Sequence, residues 1–308
     1  MDLNSRSLSG VACVVTFVVL AGMREVYFAD ILRQIDIFVL ISGVFTITAV
    51  VFFVLRLGSL SELISMVRLN LREVILINLS TAIGWFTLIL ALRSVEPAIV
   101  SSIANSLVPV ATLAIGPVML AEFRSTRGDL LCALGVVLCV FWLMYISLSG
   151  QSFVANDNRL AVTYGLVSVF VSGLTASVNT IAAKRLALRG FAAGDTMAVR
   201  FYILILFSLG WLFVRQIPLQ LRLDQIVVVV VIALIGISFP IYVLQLGIAR
   251  LDVKSVALIM GATPVATYVV QVAKGGFGFS FYSLIGVIMT FVFVSLGIAL
   301  KNRVFSKL

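Results

Sequence analysis

Apolar residues run along this chain in long blocks separated by short polar breaks. Ten blocks of the length that crosses a bilayer as a helix, about 20 residues, can be marked: 8–28, 36–55, 74–92, 98–120, 129–148, 160–183, 196–214, 225–248, 253–272 and 280–300. Their ends are placed to within about four residues. The pattern predicts an all-α membrane protein of ten transmembrane helices. Two connections are longer than the rest. In the first, Leu57, Leu60, Ile64, Val67 and Leu71 recur at helical spacing, and Ser61, Ser65, Arg68 and Arg72 fall on another face. That is a short amphipathic helix on the lipid surface, or an extension of the third span. In the second, the hydrophilic run 149–158 is a linker.

Composition agrees with the pattern. Of 308 residues, 62% are hydrophobic and 11% charged, where a soluble domain carries about 25% charged residues. So few charges cannot clothe a surface in water, and the short connections leave no room for a sizeable soluble domain. The net charge of +9 would suggest nucleic acid in a soluble protein. Here it reports orientation, and no nucleic-acid partner is expected. With a cytoplasmic N-terminus, Arg6, Arg56, Arg68, Arg72, Arg124, Arg127, Lys184, Arg185, Arg189, Arg250, Lys254, Lys301, Arg303 and Lys307 lie inside. Arg24, Arg33, Arg93, Arg159, Arg215, Arg222 and Lys274 lie outside, which is fourteen against seven, with Arg200 within a span. Both termini are therefore expected in the cytoplasm. The first block is a retained span rather than a signal peptide, since nine more follow. Cys13, Cys132 and Cys139 all fall inside spans and are expected to be small packing residues.

The pattern is also used twice. Pro109-Val110-Ala111-Thr112 recurs as Pro264-Val265-Ala266-Thr267, 155 residues on, and near that offset Glu25 lies opposite Asn179. This predicts two units, 1–150 and 151–308, of five spans each. An odd number of spans inverts the second copy in the membrane. Inverted repeats are an architecture of secondary transporters, with the solute bound near the midplane between the halves.

Polar residues inside a membrane are costly and mostly face a cavity or a protein neighbour. Ser168, Ser172, Thr175 and Asn179 follow steps of four, three and four along the sixth span and so share a face. Ser238, Tyr242 and Gln245 do so on the eighth, and Met260, Thr263 and Thr267 on the ninth. The third span offers Asn78, Thr81 and Trp85, the fourth Ser102, Asn105, Pro109 and Thr112. Hydroxyls in such helices also bond their own carbonyls or glue neighbouring helices, whereas the amides of Asn78, Asn105, Asn179 and Gln245 have more valences to satisfy. Pro109 and Pro264 release carbonyls within a helix and read as hinges or as structural kinks. Glu25 lies ~26 Å along its helix from Leu8, near the outer edge of a ~30 Å core. It is an interfacial charge beside Arg24 or a proton or cation site facing the cavity. Arg200, one turn into the seventh span, is expected to snorkel to the headgroups, with contact to an anion or solute as the other reading. The chain has no histidine, which removes His-based triads and HExxH zinc sites. It also has no phosphate-binding loop of the Gly-rich Lys type, and Gly276-Phe277-Gly278 reads as a turn. No catalytic residue, metal or cofactor is expected.

The sequence at this point resembles the EamA-type transporters of the drug/metabolite transporter superfamily. The likeness rests on Ala91-Leu92 closing the third span, Ser101-Ser102 to Pro109-Val110-Ala111-Thr112 in the fourth, and Ala121-Glu122-Phe123-Arg124 at its end. Gly135 follows, and the second copy carries Ala257 to Pro264, Gly286 and Met197-Ala198-Val199-Arg200-Phe201. Departures are Phe277 at the position matching Glu122, and Ala21-Gly22 where the family has a Trp-Gly pair. The resemblance implies a ten-helix exporter or exchanger of small metabolites in a bacterial inner membrane. Together with the repeat, it leads to an expectation of alternating access around a central cavity. The solute expected is an amino acid or a related amphipathic molecule, and the alternative is a channel or receptor without coupled transport. The solute site is expected to comprise Trp85, Asn105, Asn179, Tyr242, Gln245, Ser172, Thr175 and Thr263. Glu25 is the coupling candidate if a proton or cation gradient drives the cycle, because every lysine and the aspartates 129, 195, 224 and 252 sit at helix ends. Glu122 and Arg124 are expected to pin a loop. The other partners are the lipid bilayer and, in an arrangement the sequence leaves open, a second copy in a homodimer.

Overall fold

Where the sequence is apolar for about 20 residues, the backbone must satisfy its own hydrogen bonds, and in lipid a helix does this. The computed structural model describes residues 3–119, 126–152, 158–275 and 279–305, and among these every regular element is helical. In chain order they are α1 (Leu3–Ile31), α2 (Ile37–Val54), α3 (Leu60–Leu69), α4 (Leu71–Leu92), α5 (Pro97–Met119), α6 (Arg127–Leu148), α7 (Arg159–Leu188), α8 (Ala193–Val199), α9 (Tyr202–Arg215), α10 (Leu223–Val231), α11 (Phe239–Arg250), α12 (Val253–Met260), α13 (Thr263–Lys274) and α14 (Phe281–Phe305). Among the described residues nine helical segments are long and apolar enough to cross a membrane, and a further apolar stretch, Phe281–Gly297, opens α14. Leu131, Leu134, Leu138, Phe141 and Tyr145 of α6 are exposed, as side chains facing lipid are. Glu122, Arg124 and the Gly276–Gly278 turn lie outside the described residues.

Three spans are broken. Between α8 and α9 the helix is interrupted at Arg200–Phe201. Between α10 and α11 it widens into a π-helix, Ile232–Ser238. There Ser238 Oγ lies 2.6 Å from the Ala233 carbonyl and 3.0 Å from Thr48 Oγ1 of α2. Between α12 and α13 it breaks at Gly261–Ala262. Pro264 has no N–H for the Met260 carbonyl four residues back, and the Thr263 hydroxyl donates to that carbonyl instead, at 2.7 Å. Pro109, by contrast, sits inside the uninterrupted α5. The segment after α2 is a separate surface helix rather than an extension of α4, because Asn70 (φ −124°, ψ 30°) ends α3. Leu63 packs inward, and Leu57, Ile64 and Leu69 are exposed.

α7 packs against α4 and α5, and α1 against α11, α12 and α13. α2 packs on the broken α9, and α6 on α14. The last contact is reciprocal and tight. A Cβ on Gly135 of α6 would lie 2.3 Å from Phe293 of α14, and one on Gly286 of α14 would lie 2.3 Å from Leu143 of α6. Helix ends are tied by ion pairs: Arg56 to Asp195, Arg189 to Glu73 at 2.6 Å and Lys254 to Asp129 at 3.1 Å where the basic residues cluster, and Lys274 to Asp30 at the other end.

Candidate functional site

Helices α1, α4, α5, α7 and α11 leave a hollow between them, which Arg200 and Met260 also line. Its wall is mixed. Leu88, Ile241, Leu244 and Ile248 are apolar, Phe17 and Trp85 aromatic, Ser80, Thr81, Asn105, Ser172, Asn179 and Thr180 polar, and Arg24, Glu25 and Arg200 charged.

The charged residues are all buried, with Arg24, Glu25 and Arg200 7%, 2% and 4% exposed. Glu25 is well supplied with partners. Its Oε2 accepts from Thr267 Oγ1 at 2.9 Å, and Thr267 Oγ1 is 2.9 Å from Ser101 Oγ. Ser101 and Asn105 also reach the carboxylate, and Arg24 Nη2 is 3.7 Å from Oε1. The Arg24 guanidinium lies over Trp85 at 4.7 Å and near Phe17 at 5.9 Å, a cation–π arrangement that stabilises a desolvated cation. Across the hollow, Arg200 Nη2 donates to Asn179 Oδ1 at 2.6 Å and lies 3.4 Å from Thr81 Oγ1. Asn179 is held by its own Nδ2, which donates to Thr81 Oγ1 at 2.7 Å and Ser80 Oγ at 3.1 Å. Nε and Nη1 of both arginines have no hydrogen-bond partner among the described residues.

Of the residues expected at the site, Trp85, Asn105, Asn179, Ser172 and Glu25 line this hollow together. Asn105 Nδ2 donates to the Ser101 carbonyl at 3.0 Å, and Ser172 Oγ to the Gly84 carbonyl at 3.0 Å. Tyr242, Gln245, Thr175 and Thr263 are elsewhere. Tyr242 stacks on Phe52 at 5.7 Å and lines a separate hollow with Arg56 and Ala192, because the π-helix adds a residue to the turn and rotates α11 about its axis. Gln245 is buried, with Nε2 lacking a partner among the described residues. Thr175 bonds the Val171 and Ser172 carbonyls of its own helix, and Thr263 is spent on Met260.

Two expectations are corrected. The sequence places Arg24 among the outer surface charges and predicts that Arg200 snorkels; both are buried in the wall of the hollow. The break at Arg200–Phe201 turns that side chain inward onto Asn179, and Trp85 holds Arg24. Sequence reasoning also misses another buried carboxylate, Glu96, just before α5. It accepts from Gln271 Nε2 at 2.7 Å and Ser283 Oγ at 2.9 Å. Its place at a helix start is the available signal. Arg24 has a further neighbour. A larger groove runs between α1 and α10 with its π-helix, and Arg24 lines that groove too.

Residues 163–298 match the EamA-like transporter family. The match runs from α7 into α14 and includes Ser172, Asn179, Arg200 and Thr267. Together with the apolar helices, the match supports an integral, multi-pass membrane protein. Among solved structures, one crystal structure of a protein superposes over 97% of this chain and 99% of its own, with a TM-score of 0.65 at 19% identity, which shows a common fold over nearly the whole length. No curated protein matches the sequence.

Proposed function

We propose that the protein is a secondary transporter, an exporter or exchanger, that carries small amphipathic metabolites such as amino acids by alternating access. The observation that carries this reading is the hollow itself. It is walled by helices from both halves of the chain and holds buried charges that lipid could not tolerate, and it mixes aromatic with polar surface as small-molecule sites do. We read the chain as ten spans in two inverted repeats, 1–150 and 151–308. Supporting this, α7 meets α4 and α5 as α1 meets α11, α12 and α13, and Gly135–Phe293 and Gly286–Leu143 exchange roles across the α6–α14 contact. The basic excess orients both termini to the cytoplasm, and correcting Arg24 to the interior strengthens that excess. Glu25 is the residue through which a proton gradient would act, and Pro109 and Pro264 are the hinges. The test is counterflow of labelled phenylalanine into proteoliposomes loaded with the unlabelled amino acid. Saturable uptake with a transient overshoot is expected. Linear uptake that ignores the internal load would point to a channel.

A further inference from the structure

The hollow's hydrogen-bonding valences do not balance, and the imbalance has a sign. Its one carboxylate, Glu25, is already engaged by Thr267, Ser101 and Asn105 and faces Arg24. The amide of Asn179 is used on both sides, Oδ1 by Arg200 and Nδ2 by Thr81 and Ser80. What remains are donors: Nε and Nη1 of Arg24 and of Arg200, four buried nitrogens without a partner among the described residues. Guanidinium keeps its proton in proteins, so these groups cannot become neutral to escape burial and must be paired. The charged residues lining the hollow, Arg24, Glu25 and Arg200, sum to one positive charge.

We infer that the solute carries an anionic group, a carboxylate or phosphate, which is received by the free N–H groups of Arg24 and Arg200 while its apolar body lies against Trp85, Leu88, Ile241 and Leu244. This deepens the transport reading by naming the class of cargo, and it rests on that reading only for the step after binding. Asn179 is a positioning residue: it occupies one Nη of Arg200 and leaves the remaining nitrogens for the solute. Trp85 positions Arg24 in the same way. The two arginines come from the two halves of the chain, α1 and the break between α8 and α9. An anion bound between them would bridge the halves that must move against each other.

The test is calorimetric titration of the purified full chain in detergent with four probes that share a phenylpropyl body: 3-phenylpropionate, phenylalanine, 3-phenyl-1-propanol and 3-phenylpropylamine, with inorganic phosphate as a fifth. At least one of the two carboxylates should bind tenfold or more tightly than the alcohol, and the amine should bind no better than the alcohol. Tighter binding of 3-phenylpropionate marks a simple acid as the source of the carboxylate, and tighter binding of phenylalanine marks an amino acid. Competition by phosphate extends the class to phosphate esters. Arg200→Gln and Arg24→Gln should each weaken the preferred acid at least tenfold and leave the alcohol unchanged, with Arg200→Lys recovering part of the loss. The comparison among probes needs no variant, so poor folding of a variant leaves it intact. The inference is overturned if alcohol or amine matches both acids, if no acid binds at millimolar concentration, or if the folded Gln variants bind acid as the parent does. Arginine-dependent acid binding without counterflow would contradict the transport reading alone. Counterflow of the amine without acid binding would contradict this inference alone.

Discussion

Glu25 sits in the 29-residue α1, where an ionised carboxylate is expensive unless it is fully hydrogen-bonded. The three donors around it supply those bonds. Thr267→Val removes the one at 2.9 Å and keeps the shape, and loss of a hydrogen bond to a charged group should cost about 1–3 kcal/mol. A lowered melting temperature in detergent checks this; an unchanged one would mean that Ser101 and Asn105 suffice. Glu25→Gln removes the charge while keeping the bonds to hydroxyls. If Glu25 carries the coupled proton, flux in the Gln variant loses its dependence on a pH gradient; if that dependence and the rate both survive, Glu25 serves only to hold α1 against α5 and α13. Glu25 is legible in the sequence because, with no histidine and every lysine at a helix end, it is the one carboxylate well inside a span. Arg24 and Arg200 are not. A cation near a helix end reads the same whether it snorkels or turns inward, and the partners that decide the matter, Trp85 and Asn179, are distant in sequence.

At the scale of elements, the long apolar blocks predict the helices and the short surface helix α3 well, because length and periodicity are local properties. The breaks are hidden. The apolar run continues straight through Arg200–Phe201 and Ile232–Ser238, and what distinguishes these points is a bond made across the bundle, such as Thr48 to Ser238 at 3.0 Å. That is also why Tyr242 and Gln245, placed by ideal helical spacing, do not line the central hollow. The α6–α14 contact depends on two glycines. Gly286→Leu drives a side chain into Leu143, and overpacking of this kind costs about 1–3 kcal/mol. It should lower the melting temperature markedly, while Gly210→Leu, where a Cβ meets nothing within 4 Å, should leave it close to that of the parent. Equal effects of the two would mean that the helices do not approach this closely.

For the whole molecule, the two-fold arrangement we propose rests on the repeat in the sequence and the reciprocal α6–α14 contact, and the direction we propose for it in the membrane rests on the charge bias. In a background without Cys13, Cys132 and Cys139, Gln151→Cys should react with an impermeant thiol reagent on intact cells, and Gly58→Cys only after permeabilisation. The reverse result would invert the orientation. The solute is the least legible feature, since stripes of hydroxyls on single helices carry no sign of charge. The excess of donors emerges only where α1, α7 and the break after α8 converge. Alternating access requires the central hollow to be reached from each side of the membrane in turn. Ala176 lines that hollow on α7 and is small enough for Ala176→Cys to leave it open. The most direct measurement is modification of this cysteine by an impermeant thiol reagent in sealed vesicles of both orientations, with conductance recorded in parallel. The account predicts modification from either side without a continuous ionic conductance. Modification from one side only, or a sustained conductance, would contradict it.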